Sequence, residues 1–153
     1  MNPFIEKEIA KIIEENKADF PKNIALACSW IVANFKGINI KIFDVQGSSS
    51  LCDYNIIASA QNSTQSRSIV EMLDAALRNN GQEIISVEGL NDAEWILLDA
   101  GDVIVHLFLD TSRDIFDLDT LWKNYPQVQI PEEYYFGTPE TQAAPSDPTS
   151  NYF

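Results

Sequence analysis

Asp99, Asp102 and His106 are the side chains whose types and spacing could do chemistry. His106 is the sole histidine, and a Ser-His-Asp relay would set it between a serine and one of the two carboxylates. No Gly-x-Ser-x-Gly elbow is present to raise such a serine. The same three residues could instead hold a metal ion for a hydrolase. Two commoner roles compete with that reading: acids beside a tight turn usually just cap it, and a lone histidine in an apolar strand is usually a satisfied structural residue.

A second opening for chemistry is Gly47-Ser48-Ser49, which follows a strand-like segment much as the Gly-Ser turn does in nucleotidyltransferases. Those enzymes need a closely spaced Asp-x-Asp pair to hold magnesium, and Asp53 stands alone after the loop. Neither phosphate-cradling pattern, Gly-x-x-x-x-Gly-Lys-Ser/Thr or Gly-x-Gly-x-x-Gly, occurs. Cys28 and Cys52 are the only cysteines, too few for a structural zinc, and both fall in apolar contexts that suit buried free thiols. No cofactor is expected.

The element that must position the two carboxylates is the stretch from Glu94 to Phe108, two apolar runs flanking Asp99-Ala100-Gly101-Asp102. It reads as a β-hairpin with Gly101 free to take a positive φ. Trp95, Leu97 and Asp99 share one face of the first arm, and Ile96 and Leu98 the other. Neither arm has a wholly polar face, so the hairpin is expected at the centre of a sheet, covered on much of both sides. Trp95 can be plain core, yet an indole beside turn acids also suits an interface anchor. A rigid hairpin with an aromatic anchor and an acidic tip is a surface for gripping a basic protein.

The formal charge of −13 agrees with that and disfavours direct binding to a phosphate backbone or an anionic membrane. At 45% hydrophobic and 22% charged residues, the chain has the composition of one soluble domain with tails. The N-terminus lacks the basic and apolar regions of a secretory signal. No apolar run approaches the about 20 residues needed to span a bilayer. A cytoplasmic location is expected.

Apolar periodicity predicts helices over 4–16, 21–35 and 62–79, the last opened by a capping box of Asn62 and Gln65 and closed by Asn80-Gly81. Strands are predicted over 38–45, 53–60 and 83–87, followed by the hairpin and short helical turns over 111–124. The connection between the first two strands is too short for a parallel crossover, so they pair antiparallel. The sum is an α/β (α+β) domain with a mixed five-stranded sheet flanked by helices. From Pro126 the texture changes: the Pro, Ser and Thr content predicts disorder over 138–153, with Tyr134-Tyr135-Phe136 as one apolar cluster that folds back on the domain, or else docks on a partner.

Taken in order, several of these pieces resemble the ribosomal silencing factor family, also called the Iojap family. They are Asp44-Val45, Asp53-Tyr54, Ile56-Ile57-Ala58, Arg67, Ile69 and Glu88-Gly89, then the strongest segment, Trp95 to His106. Arg113, Phe116-Asp117-Leu118-Asp119 and Leu121-Trp122 complete the set, which runs from about Pro21 to Tyr125. Ala60 stands where the family usually has Gly, Ala100 where a larger residue is common, and Asp119 where Glu is usual.

The resemblance implies a nucleotidyltransferase-like core without the catalytic acids, acting as a factor rather than an enzyme. It implies binding to large-subunit ribosomal protein fourteen, steric exclusion of the small subunit from the large one, and a part in large-subunit maturation. Relatives that dimerise when free make self-association an implication too. Carried over to this chain, the partner-binding residues are Trp95, Leu97, Asp99, Ala100, Gly101 and Asp102. On this reading residues 1–19 add a helix, 20–130 form the family domain and 131–153 the tail. The alternative is a divergent metal-dependent nucleotidyltransferase or hydrolase using the hairpin carboxylates.

Overall fold

A computed structural model of the protein describes residues 2–136. Helix α1 (Pro3–Glu15) starts where the sequence asks it to: Asn2 Oδ1 accepts the Phe4 N–H at 2.8 Å, and Pro3 occupies the first turn, where its missing N–H costs nothing. Helix α2 (Lys22–Asn34) is buried at every residue from Asn23 to Val32. The sequence predicts a one-sided apolar stripe there. Burial goes further because α1 covers one flank and a short C-terminal helix, α6 (Glu133–Phe136), another, while the sheet lies beneath. Ile9 and Ile12 of α1 share this core, so the N-terminal helix is part of the packed body.

The chain then lays down β1 (Ile38–Asp44), β2 (Tyr54–Ala60), α3 (Ser63–Asn79), β3 (Ser86–Glu88), β4 (Trp95–Asp99) and β5 (Val103–Leu109). Two short helices follow, α4 (Asp110–Phe116) and α5 (Leu118–Leu121). The strand order is β1-β2-β5-β4-β3, a mixed five-stranded sheet as expected. Only β2 and β5 run parallel; β1–β2, β4–β5 and β3–β4 are antiparallel. The α3 cap forms as the sequence spells it, with Asn62 Oδ1 accepting the Gln65 N–H at 2.9 Å. The Gln65 side chain reaches back to Gln61 N–H and also donates to Phe35 O and Lys36 O, tying the helix start to the end of α2.

Two boundaries differ from the sequence reading. The third strand begins at Ser86 rather than 83, because Gln82 N–H closes the end of α3 on Leu77 O and the chain must still turn back toward the sheet. The predicted tail does not start at 131. Residues 133–136 form α6, and Tyr134 packs against the core beside α2, as expected of the apolar cluster there. The rest of that expectation, 137–153, lies outside the described residues.

Side-chain alternation gives the sheet two apolar faces. Ile96, Leu98, Val103, Val105 and Leu107 point toward α2 and α3, in one continuous core with Ile31, Ile69 and Leu73. Phe43, Ile57, Ile104 and Phe108 point the other way, into a smaller cluster partly roofed by Phe116, Leu118, Trp122 and Tyr125.

That roof is held down by Arg113, which is buried at 4% exposure. Its Nε and Nη2 grip the two oxygens of Asp119 at 3.0 Å each, and Nη1 donates to Ser59 Oγ and to Asn39 O. Lys41 Nζ approaches the same carboxylate at 2.8 Å. Hydrogen bonds from Arg113 hold the Asp119 carboxyl down to about 2, with Lys41 adding to the effect and partial burial opposing it. Replacing Arg113 with Met should lower unfolding free energy by about 3 kcal/mol, since it strips a planar fork from a half-buried carboxylate and two sheet acceptors. Urea unfolding followed by tryptophan fluorescence measures this; an unchanged midpoint would mean the clasp adds nothing.

Candidate partner-binding face

The hairpin tip is tighter than the four-residue connection read from sequence. Ala100 N–H donates to Val103 O at 3.0 Å, leaving Gly101-Asp102 as a two-residue loop with Gly101 at φ 86. Glycine at the first central position is what such a loop requires. Asp99 Oδ1 accepts the Gly101 N–H at 2.8 Å, so this carboxylate braces its own turn. Asp102 O receives the N–H groups of Asp53 and Tyr54 at 2.9 and 3.1 Å, pinning the tip to the start of β2. The pairing of Tyr54 with Asp44 and Val103, and of Asp99 with Ile104 and Ser86, brings Asp44, Asp53, Asp99 and Asp102 to one end of the sheet.

Behind the tip, Trp95, Leu97 and Asp99 of β4 lie on the less covered face, each half-buried. The Trp95 ring leans on Phe108 (5.1 Å between centroids), on Phe116 (5.0 Å) and on His106 (5.9 Å). Phe116 is 42% exposed, and the arm that carries it also leaves Ile115 and Leu121 in solvent, at 78% and 67%. At the tip, Ile85 is 63% exposed with its Cδ1 beside Gly101. Aromatic and aliphatic groups therefore flank β4 at both ends, next to the acidic end of the sheet. Gly89 is also tied to this strand: with φ 88, a Cβ there would meet Trp95 O at 2.0 Å.

A polar chain runs under Trp95. Its Nε1 donates to His106 Nδ1 at 3.2 Å, and His106 Nε2 lies 3.2 Å from Asn55 Oδ1. An indole N–H can only donate, so Nδ1 must be the bare nitrogen and Nε2 the protonated one, donating to the amide oxygen. The Trp122 ring closes the other side at 5.3 Å. Burial alone pushes the His106 pKa down to about 4, so the ring is neutral at physiological pH.

Asp99 braces the turn, and both ring nitrogens of His106 are engaged. Among the described residues no set of three or more His, Cys, Asp or Glu side chains could hold a metal ion. Ser48 and Ser49 N–H groups both donate to Val45 O, closing the loop on itself. Cys28 and Cys52 are buried free thiols whose pKa values burial raises to about 12 and about 11, the second also lifted by Asp53, Asp99 and Asp102. Sequence reasoning missed Ile85, Phe116 and Asn55 as parts of this face. A polar residue inside the apolar run Tyr54-Asn55-Ile56-Ile57 was the available signal for Asn55.

Fold and face together define a mixed-sheet α/β protein that presents an aromatic strip beside an acidic edge. Comparison with known proteins places the fold and the family. A family model described as "Ribosomal silencing factor during starvation" matches residues 9–152, a wider span than the 21–125 that carries the resemblance in sequence. The ribosomal silencing factor RsfS of Bacillus subtilis is 30% identical over 115 residues, covering 75% of this chain and 94% of that protein. The factor of the same name from Zymomonas mobilis is 34% identical over 87 residues, 57% of this chain and 65% of that one. A crystal structure of a Chromobacterium violaceum protein superposes with a TM-score of 0.64 at 30% identity, covering 72% of this chain and 89% of the other. The chain belongs to the ribosomal silencing factor family.

The neutral histidine sets a pH dependence. Between the ordinary histidine value and about 4, the unfolded chain takes up a proton that the folded chain refuses, so stability falls as pH drops through that window. The loss should reach about 3 kcal/mol at the lower end. His106→Gln should remove this component, seen as a flatter midpoint-against-pH curve in urea titrations; an equally steep curve would show that the folded ring accepts a proton freely.

Proposed function

We propose that this chain represses translation by docking on the large ribosomal subunit and occupying the space into which the small subunit would join. Large-subunit ribosomal protein fourteen is the contact, and Trp95, Leu97, Asp99, Ala100, Gly101 and Asp102 form the centre of the docking surface. Ile85 and Phe116 extend it. The observation that carries this reading is the half-buried indole of Trp95 beside the part-exposed Phe116, with exposed Ile85 beside the far end of the same strand, on a member of this family.

Physical arguments support it. Ribosomal proteins are basic as a class, and a partner of charge −13 attracts them at long range, which raises association rate more than affinity. Grip comes from desolvating the aromatic strip, since buried Trp is a favoured hot-spot residue. A standard interface of about 1,600 Å² total is well matched to a sheet face and its tip. Exclusion of a second subunit needs occupied volume and no bond chemistry, so the factor acts without turnover or cofactor, in the cytoplasm. No helix among the described residues is long and apolar enough to cross a membrane.

Sucrose-gradient sedimentation tests the proposal. The protein should travel with free large subunits and be absent from joined ribosomes. Trp95→Ala, and separately Asp99→Lys with Asp102→Lys, should cut co-sedimentation at least about tenfold while urea midpoints show a folded protein. Raising salt should slow association. Variants that co-sediment like the parent protein would move the docking surface elsewhere, and migration with translating polysomes would refute the silencing role.

A further inference from the structure

We infer that His106 is a positioning residue for the docking face: held by Asn55 as the Nε2-protonated tautomer, it fixes the Trp95 indole in the orientation that meets the partner. The inference rests on the docking reading above and adds how that surface is kept in register.

The geometry leaves little choice of hydrogen-bond direction. Trp95 Nε1, His106 and Asn55 Oδ1 form a chain with two links of 3.2 Å across the adjacent strands β4, β5 and β2. Tryptophan can only donate, so the ring must accept at Nδ1 and donate at Nε2. The Asn55 amide oxygen is the acceptor that stabilises that tautomer. Asn55 and His106 are each only 6% exposed, so water offers little replacement for either partner. Aromatic rings close the site, with Trp95 at 5.9 Å and Trp122 at 5.3 Å from the imidazole. Phe108, from the same strand as His106, and Phe116, from α4, back the other side of the indole. Burial is the only influence resolved on the ring's proton affinity, and no charged side chain contributes a resolved shift from β2, β4, β5, α4 or α5.

An indole on an exposed face would otherwise sample several rotamers, and ordering it at the moment of docking costs affinity. A buried hydrogen-bonded ring beneath it removes that cost in advance. Protonation at Nδ1 would set two N–H donors against each other and release the indole. The neutral amide of Asn55 gives the ring no charge to favour its cationic form, whereas a carboxylate in its place would.

The test uses the full chain labelled with ¹⁵N and two readouts: the indole N–H resonance of Trp95, assigned against Trp95→Phe, and co-sedimentation with large subunits. In the parent protein the resonance should sit downfield and stay still between about pH 8 and about pH 6, with binding equally flat. In Asn55→Asp the ring should titrate inside that window. Its Trp95 resonance should move upfield and binding should fall about tenfold toward pH 6, both recovering on return to pH 8. His106→Gln, which keeps one acceptor and one donor, should retain binding, while His106→Leu should lose about tenfold. If His106→Leu does not fold, the reversible pH response of Asn55→Asp carries the test. A Trp95 resonance indifferent to both substitutions, or one that moves while binding does not, overturns the positioning role. Full binding by Trp95→Phe and Trp95→Ala would instead sink the docking surface and leave the resonance result standing.

Discussion

Five strands present two broad apolar faces, and the long helices among the described residues seal only one. Helices α2 and α3 close the first face, with α1 packed over α2, burying Ile31, Ile69, Leu73, Ile96 and Leu98. Among the described residues the second face carries the short α4–α5 arm and the segment after it, and a buried guanidinium with its carboxylate latches that arm to β1 and β2. Where the arm stops, Trp95, Leu97 and the acidic tip remain. The proposed docking strip is thus the part of this face that the arm leaves uncovered, and Arg113 sets where that part begins.

Leaving part of a sheet uncovered exposes apolar surface that a soluble protein ordinarily hides. Here the liability is contained. The uncovered part is narrow, bordered by Asp99 and Asp102 at one end and by Phe116 at the other, on a chain whose like charges oppose self-association. At the opposite edge, β1 is sheltered by the segment after α5, where Pro126 O accepts Asp44 N–H and Val128 N–H donates to Ile42 O. The face proposed for docking therefore sits on a body whose other side is well shielded.

Local chemistry was legible in the sequence wherever one short stretch decides the outcome. Asn2-Pro3 and Asn62 with Gln65 announced their helix starts, and Gly101 its turn, because caps and tight loops are settled within a few residues. Alternation correctly split Trp95, Leu97 and Asp99 from Ile96 and Leu98. It could not say which of Ile84 and Ile85 turns inward, since the strand they precede starts only after the helix cap has closed. Nor could it join Asn55 to His106, or Arg113 to Ser59, because those meetings depend on strand order. The parallel pairing of β2 with β5 makes both contacts, and a sequence period carries no record of which strands become neighbours.

That same parallel seam has a kinetic consequence. The sheet is two local hairpin-like pairs, β1 with β2 and β4 with β5, joined by strands that the whole of α3 and β3 separates along the chain. Closing such a loop must precede most of the contacts that reward it, which slows folding. Until it closes, the apolar flanks of both halves stay unpaired, so a nascent chain halted before β5 would present sticky edges to chaperones and proteases rather than half of a working protein.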